Sequence, residues 1–172
     1  MRSVCWLPGG TAGRIVYALK YGGWPKMADA MGERMARLDW PSDVVNERAA
    51  VVPIPLAVVR QRERGFNQSG LLARAIARRW RVPEWPEVLV RARATATQTR
   101  LTPEGRRRNV SGAFAVPPHT RSALVGAHVI LVDDVVTTGA TAVECASALL
   151  DGGARIISLV TFGRAPALGD PE

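Results

Sequence analysis

Apolar residues in the first half of the chain follow the spacing of helices and of one buried strand. Residues 11–21 and 26–38 each carry apolar side chains three to four positions apart, which predicts two amphipathic helices. Residues 49–54 form a short apolar run beside Pro53 and Pro55, a pattern typical of a buried strand that ends in a loop. A third amphipathic helix is predicted to begin at residue 67 or 69 and to end near residue 80.

The C-terminal third has the clearest pattern. Residues 128–132 and 156–162 are continuous apolar runs, and residues 141–150 between them have helical spacing that two glycines end. A strand, a helix and a second strand in this order form a βαβ unit, which builds a parallel sheet through a right-handed crossover. The chain is therefore predicted to be an α/β protein with helices on both faces of a parallel sheet.

The middle of the chain has weaker signals. Residues 88–90 and 114–116 are predicted to be short strands, whereas residues 91–109 are rich in Thr and Arg, lack apolar periodicity and predict a long loop. A length of 172 residues suits a single domain. We divide that domain into a helical N-terminal part at residues 1–48 and a core at residues 49–163.

Candidate chemistry lies directly after the strand predicted at residues 128–132. Asp133 and Asp134 are adjacent acids, and a small hydroxylic segment from Thr137 to Thr141 leads into the next helix. Open α/β sheets bind ligands at the carboxyl ends of their strands, and a helix N-terminus attracts phosphate. Because the acids would repel a phosphate, they need another partner, and sugar hydroxyls and Mg²⁺ fit. The segment therefore predicts a ribose 5-phosphate site; the alternative is helix-capping threonines beside a solvated acidic turn.

Several motifs resemble known families. Residues 129–141 (four apolar residues, two acids, two apolar residues, then Thr-Thr-Gly-Ala-Thr) are similar to the phosphoribosyl pyrophosphate (PRPP) motif of type I phosphoribosyltransferases. Further segments, in the family's order and covering about residues 15–163, resemble the ComF family of competence-associated phosphoribosyltransferase-like proteins. These segments are Leu19-Lys20-Tyr21, Val52-Pro53-Ile54-Pro55-Leu56, Arg64-Gly65-Phe66-Asn67-Gln68, Gln98 with Leu101, Arg106 with Asn109, and Ala113-Phe114.

The resemblance implies a fold and a reaction. The fold would be a type I phosphoribosyltransferase-like parallel sheet with a small N-terminal helical hood. The reaction would transfer a phosphoribosyl group from PRPP to a nitrogenous acceptor and release pyrophosphate. Asp133, Asp134 and Arg106 would be catalytic, and Asp133 and Asp134 would also hold Mg²⁺. The residues implied to bind PRPP are Asp133, Asp134, Val135, Thr137, Thr138, Gly139, Ala140, Thr141, Pro53 and Ile54.

The ComF resemblance also implies a role in natural transformation and DNA uptake. The alternative to an enzyme is therefore a non-catalytic module that binds single-stranded DNA or couples to a competence helicase and to a protein that handles single strands. Type I folds include regulators that bind PRPP without turnover, so the motif predicts a site but does not by itself predict catalysis.

Positive charge is concentrated in one segment. The chain carries a formal net charge of +8, and 21 of its 23 basic residues are arginine. Residues 60–108 hold 13 arginines against four acids, whereas the rest of the chain is nearly neutral. This concentration indicates a polyanionic partner, either a pyrophosphate or a nucleic acid. The expected nucleic-acid contacts are Arg62, Arg64, Arg107 and Arg108.

The same sequence argues against several other classes of protein. With two cysteines and two histidines, no ligand spacing predicts a zinc cluster or a disulfide framework. Many ComF-like proteins carry an N-terminal four-cysteine zinc module that is missing here, so we expect either a truncated start or a short form. The apolar stretches are shorter than the ~18–20 residues of a membrane span, and the N-terminus does not fit a signal peptide. We therefore expect a cytoplasmic protein.

Overall fold

The computed structural model describes residues 1–7, 10–22, 24–93 and 103–166, apart from the side chains of residues 103, 104, 106 and 107. The strands are β1 (Arg2–Trp6), β2 (Arg48–Pro53), β3 (Val90–Arg91), β4 (Phe114–Ala115), β5 (His128–Val136) and β6 (Ile156–Arg164). The helices are α1 (Gly10–Tyr21), α2 (Met27–Ala36), α3 (Ser42–Glu47), α4 (Val58–Arg64), α5 (Gln68–Trp80), α6 (Pro103–Val110), α7 (Arg121–Leu124) and α8 (Ala140–Asp151).

Four strands form the main sheet, in the order β1-β6-β5-β2, and every neighbouring pair is parallel. Strands β5 and β6 are joined through α8, so the predicted βαβ unit is confirmed, as is the α/β class. β3 and β4 form a separate antiparallel pair. Since the strands are parallel, β2 and β5 bring their carboxyl ends to the same edge of the sheet, where the candidate acids lie.

Two hydrophobic cores flank the sheet, because both of its faces are covered. Alternate residues of β5 serve opposite sides: Ile130 and Val132 pack with α1, α2 and α5, whereas Val129 and Leu131 pack with α6, β4 and α8. This double burial explains why β5 is a continuous apolar run. Within the described chain, no helix has the length and apolar content needed to cross a bilayer.

The structure corrects four local predictions. Residues 2–6, placed in a helical N-terminal part, instead form β1, which pairs with β6 at the edge of the sheet. Residues 103–110, predicted to lie in a loop, form α6, and residues 58–64 form the unpredicted α4. Strand β5 continues through both acids to Val136, beyond its predicted end at residue 132.

These differences have local physical reasons. β1 depends on a partner strand more than 150 residues away, which no local pattern reveals. Helices α4 and α6 are short, with 7 and 8 residues, and they bury few apolar side chains. Their sequences therefore lack the apolar periodicity of a helix. β5 extends past its apolar run because its backbone still pairs with β6 at Asp133 and Val135.

Helices α2 and α5 approach closely at Gly32. A Cβ atom added there would lie 2.5 Å from the Cβ atom of Ala75 and 3.1 Å from the carbonyl oxygen of Leu72. Gly32→Ala is therefore expected to force the two helices apart and to lower the free energy of unfolding by about 1–3 kcal/mol. Urea denaturation of the two proteins measures the difference.

Gly13 provides the matched control, because it lies within α1 and a Cβ atom there would meet nothing within 4 Å. Gly13→Ala should leave stability unchanged or raise it by about 0.5–1 kcal/mol, as expected for a helical glycine. Equal stability of the Gly32→Ala and Gly13→Ala proteins would contradict the close packing of α2 and α5.

Candidate functional site

A cavity of about 630 Å³, here called the strand-end cavity, opens where β2 and β5 end. One wall is largely apolar and consists of residues 54–59, which follow β2. The other walls are polar and come from the end of α1, from α4, from the start of α5, from β3 and the residues after it, and from the junction of β5 with α8. Their lining residues are Lys20, Tyr21, Arg60, Glu63, Arg64, Gln68, Ser69, Arg91, Arg93, Asp133, Asp134, Val135 and Thr141.

The structure brings together only part of the predicted site. The candidate residues that line the strand-end cavity are Ile54, Arg64, Asp133, Asp134, Val135 and Thr141. Pro53 is buried in β2, and Arg62 and Arg108 are exposed on α4 and α6. The segment from Thr137 to Gly139 connects β5 to α8, and neither this segment nor Ala140, the first residue of α8, lines the cavity. The side chains of Arg106 and Arg107, and residues 98 and 101, lie outside the described residues.

Asp133 is the more exposed of the two acids that line the cavity. Its Oδ1 atom accepts a hydrogen bond from the Ser69 hydroxyl at 2.9 Å and another from the backbone N–H of Asp134 at 2.9 Å. Its Oδ2 atom has no hydrogen-bond partner among the described residues. Burial, followed by the negative charge of Asp134, raises the pKa of Asp133 to about 7, although Lys20 and Ser69 oppose this shift. The unliganded cavity therefore holds a carboxyl group that is only partly ionised near neutral pH.

Asp134 also lines the cavity, but its carboxylate is engaged by the chain itself. Its side chain is 3% exposed, and its Oδ2 atom lies 2.8 Å from the Nζ atom of Lys20 on α1. Its Oδ1 atom accepts the backbone N–H of Val135 at 2.9 Å. Burial acts to lower the pKa of Lys20, but the Asp134 carboxylate outweighs burial and the pKa lies above its ordinary value. Lys20 therefore stays charged beside the acids.

The start of α5 positions Ser69, whose hydroxyl donates a hydrogen bond to Asp133. Asn67 caps the helix, since its Oδ1 atom accepts the backbone N–H of Ser69 at 3.1 Å. The amide of the same Asn67 side chain donates to the carbonyl oxygen of Ile54 at 3.1 Å and so fixes the segment after β2. The Asn67 side chain thus fixes both the segment after β2 and the start of α5, where the Ser69 hydroxyl contacts Asp133.

The turn between β5 and α8 has features suited to an anion. Gly139 has φ +77°, the left-handed region that favours glycine, and α8 begins at the next residue and runs for 12 residues. The Thr138 hydroxyl accepts the backbone N–H of Ala140 at 3.4 Å. The first backbone N–H groups of a helix and its partial positive charge favour phosphate at this end. The first turn of α8 places Thr141 at the wall of the cavity.

Arginines provide further positive charge. The Arg64 guanidinium hydrogen-bonds the side-chain oxygen of Gln68 and lies 5.3 Å from the centre of the Tyr21 ring. The Arg91 guanidinium lies 4.9 Å from the centre of the Phe114 ring. Burial lowers the pKa of Arg91, while Asp133 is among the groups that oppose the change. These two cations face the acids across the strand-end cavity and would attract an anionic ligand.

The acid pair fits a magnesium ion only in part. Three of its four carboxylate oxygens already contact donors of the chain, and the fourth, the Oδ2 atom of Asp133, has no such contact among the described residues. Among the described residues, no group of three or more His, Cys, Asp or Glu side chains is placed to hold a metal. Mg²⁺ commonly uses one or two carboxylates together with ligand oxygens and water, so Asp133 alone is a suitable protein ligand.

Sequence reasoning did not assign three important residues. Lys20 belongs to the Leu19-Lys20-Tyr21 segment that resembles the ComF family, but the resemblance assigns it no role. Ser69 lies at the start of a predicted helix, and Arg91 lies where a predicted strand meets a predicted loop. No sequence motif distinguishes either residue. For Lys20 the local pattern gives no signal of an ion pair, since a lysine beside an apolar position of a helix commonly extends its ammonium group to solvent.

Comparison with known proteins finds relatives over most of the chain. The chain is 42% identical to "DNA utilization protein YhgH" of Escherichia coli over 110 residues, which are 63% of this chain and 46% of that protein. It is 35% identical to the protein of the same name from Salmonella typhi over 153 residues, 84% of this chain and 63% of that protein.

"Competence protein F" of Haemophilus influenzae is 34% identical over 116 residues, which are 67% of this chain and 50% of that protein. The chain therefore spans about half to two thirds of the length of these curated relatives. No protein-family model matches the chain.

Asp133→Asn is expected to stabilise the unliganded protein, and more so at higher pH. Since the pKa of about 7 in the fold lies above the ordinary value of 3.8, protonation favours the fold, and stability falls as pH rises between these values. Asn removes this dependence, so its advantage should grow from almost nothing near pH 4 to about 1–4 kcal/mol near pH 8.

Urea denaturation at a series of pH values measures this advantage. Asp39→Asn is the control, because Asp39 is exposed and lies outside the cavity, and it should leave the pH profile unchanged. A difference between Asp133→Asn and the parent protein that stays constant with pH would show that the Asp133 pKa is not raised.

Lys20→Met is expected to lower the free energy of unfolding by about 3–5 kcal/mol at neutral pH, because it leaves the buried charge of Asp134 without its cation. Adding Asp134→Asn should recover most of that loss, and Lys26→Met at an exposed lysine should have little effect. Chemical denaturation of the single and double variants gives the coupling energy. Additive effects of the two substitutions would contradict a direct ion pair.

Proposed function

Since this chain belongs to the ComF family of competence-associated proteins, we propose that it acts in competence and DNA uptake and that its strand-end cavity binds PRPP. One observation carries the ligand assignment. The Asp133 carboxyl group lines the cavity, and the glycine turn at Gly139, which leads into the N-terminus of α8, follows the same strand. A site for ribose 5-phosphate requires two parts: an acid that accepts hydrogen bonds from the sugar hydroxyls, and a helix N-terminus that binds the phosphate. The relatives' names support the biological role.

Each part of the cavity would hold one part of PRPP. The Asp133 carboxylate would accept hydrogen bonds from the ribose hydroxyls, with Ser69 fixing its orientation. The backbone N–H groups that begin α8, together with the Thr141 hydroxyl, would bind the 5-phosphate. The pyrophosphate would lie towards the segment after β2, within reach of Lys20, Arg64 and Arg91. This arrangement separates the acids from the 5-phosphate and from the pyrophosphate of the ligand.

The proposed reaction is displacement of pyrophosphate by a nitrogen nucleophile at the anomeric carbon. The bond from that carbon to the pyrophosphate oxygen breaks, its electron pair leaves with pyrophosphate, and the new carbon–nitrogen bond forms. Mg²⁺, held by Asp133 with ligand oxygens, would neutralise the pyrophosphate when bound. Lys20, Arg64 and Arg91 would stabilise the negative charge that grows on the leaving group, since such charges act strongly in a partly buried site.

Binding without turnover is the second candidate. It is favoured by the state of Asp134, whose two carboxylate oxygens are engaged by Lys20 and by the Val135 backbone. An acid pair with one free oxygen can hold a ligand yet offers little for a metal-bridged transition state. In that case PRPP would serve as a signal within a module that couples single-stranded DNA to a helicase. Release of pyrophosphate from PRPP with candidate acceptors distinguishes the two functions.

Calorimetric titration with PRPP and Mg²⁺ tests the ligand assignment. We expect saturable binding to the parent protein at about pH 8, where Asp133 is ionised, and at least tenfold weaker binding after Asp133→Asn, since the hydroxyl acceptor loses its charge. Affinity should also fall as pH drops below about 7, because protonation of Asp133 competes with the ligand.

Asp39→Asn is again the control and should bind as the parent protein does. Ribose 5-phosphate and pyrophosphate, titrated separately, should each bind more weakly than PRPP if both halves of the cavity contribute. The assignment is wrong if PRPP does not bind, or if Asp133→Asn binds it as tightly as the parent protein.

A further inference from the structure

The start of α5 contacts three separate segments that line the strand-end cavity. Asn67, Gln68 and Ser69 are consecutive, and their side chains bond the exit of β2, the end of α4 and the carboxyl half of β5, respectively. Gln68 is 6% exposed and Ser69 is 1% exposed, so both make these bonds where water is largely excluded. Groups that contact a ligand need such support from the residues behind them, and one helix start supplies it here to three walls.

Asn67 and Ser69 also close a ring of hydrogen bonds with the two strand ends. The Asn67 amide donates to the carbonyl oxygen of Ile54, and the N–H of Ile54 donates to the carbonyl oxygen of Val132 at 2.9 Å. Val132 precedes Asp133, whose carboxylate accepts the Ser69 hydroxyl. The Ser69 N–H donates to the Asn67 Oδ1 atom, which returns the path to its start. The exit of β2 is therefore tied to Asp133 through a closed path.

The segment after β2 has little packing of its own to hold it. Helix α4 buries none of its residues, and its first two valines are 60% and 65% exposed. Hydrogen bonds at the two ends of the segment therefore matter more for its placement. Asn67 holds Ile54 before the helix, and the Gln68 side-chain oxygen accepts the guanidinium of Arg64, the last residue of the helix.

We propose that Asn67 and Gln68 are positioning residues for the pyrophosphate half of the ligand site. They place the segment after β2 and its Arg64 cation, while Ser69 orients the Asp133 carboxylate in the ribose half. The start of α5 thereby sets the distance between the two halves. The identity of the two halves rests on the PRPP assignment given above, whereas the hydrogen-bonded ring belongs to the unliganded protein.

Calorimetric titration with the two halves of the ligand tests this division of roles. Asn67→Ser keeps a capping oxygen for the Ser69 N–H but loses the amide donor to Ile54. Gln68→Met has a side chain of similar length but loses the oxygen that accepts Arg64. Each substitution is expected to weaken pyrophosphate binding at least threefold and to leave ribose 5-phosphate binding unchanged.

Ser69→Ala provides the opposite case, because it removes the hydroxyl that orients Asp133. It is expected to weaken ribose 5-phosphate binding at least threefold and to leave pyrophosphate binding unchanged. A protein that is merely destabilised would lose both ligands together, so the opposite patterns separate positioning from folding. Asn46→Ser is the matched control, since Asn46 is exposed on α3 and lies outside the cavity, and it should bind both ligands as the parent protein does.

Amide hydrogen exchange of the unliganded protein tests the ring without any ligand. The Ile54 N–H lies within the ring, so Asn67→Ser is expected to raise its exchange rate at least tenfold. The Ser69 N–H should exchange as slowly as in the parent protein, because serine also caps a helix. Asn67→Ala removes both bonds and should raise both rates. Thermal melting followed by circular dichroism checks that every variant is folded.

The outcomes separate this proposal from the function proposed above. If the parent protein binds neither PRPP nor its halves, the PRPP assignment is wrong, and the exchange rates alone then support or overturn the positioning role. That role is overturned if Asn67→Ser leaves the exchange of Ile54 unchanged. It is also overturned if the parent protein binds both halves and Asn67→Ser or Gln68→Met weakens the two equally or weakens neither.

Discussion

The ion pair between Lys20 and Asp134 is the interaction on which the site depends. Two adjacent carboxyl groups at the end of a buried strand cannot both be charged in a low-dielectric setting without compensation. Lys20 neutralises Asp134 from α1, at 2.8 Å, and thereby ties the N-terminal helix to the central strand. Asp133 receives hydrogen bonds, but no described residue places a cation at contact distance from it, and its raised pKa follows from burial beside Asp134. The two acids thus have different tasks, one structural and one open to a ligand.

Much of the fold followed from the sequence because parallel strands covered on both faces are continuous apolar runs. Strands β2, β5 and β6 and the long helices α1, α2, α5 and α8 were predicted with shifts of a few residues at their ends. β1 could not be predicted in the same way, since its strand conformation depends on pairing with β6 at the other end of the chain. Helix α6 was missed because a mostly polar helix has no apolar stripe to recognise.

The candidate site was predictable in its chemistry but not in its division of roles. The acids and the turn after β5 were recognisable because they are adjacent in the chain. Lys20 and Ser69 reach the same acids from α1 and α5, more than 60 residues away, and only the three-dimensional arrangement brings them there. The arginine-rich segment divides in a similar way: Arg64 and Arg91 line the strand-end cavity, whereas Arg62 and Arg108 are exposed. The arginines of this segment can therefore attract a small anion within the cavity and a polyanion at the surface.

A crystal structure of the protein with PRPP and Mg²⁺ tests the central assignment of roles most directly. The account predicts ribose hydroxyls within hydrogen-bond distance of Asp133, the 5-phosphate at the start of α8, and Lys20 still paired with Asp134. Ribose bound to Asp134 with Lys20 displaced, or PRPP bound away from the strand-end cavity, would contradict it.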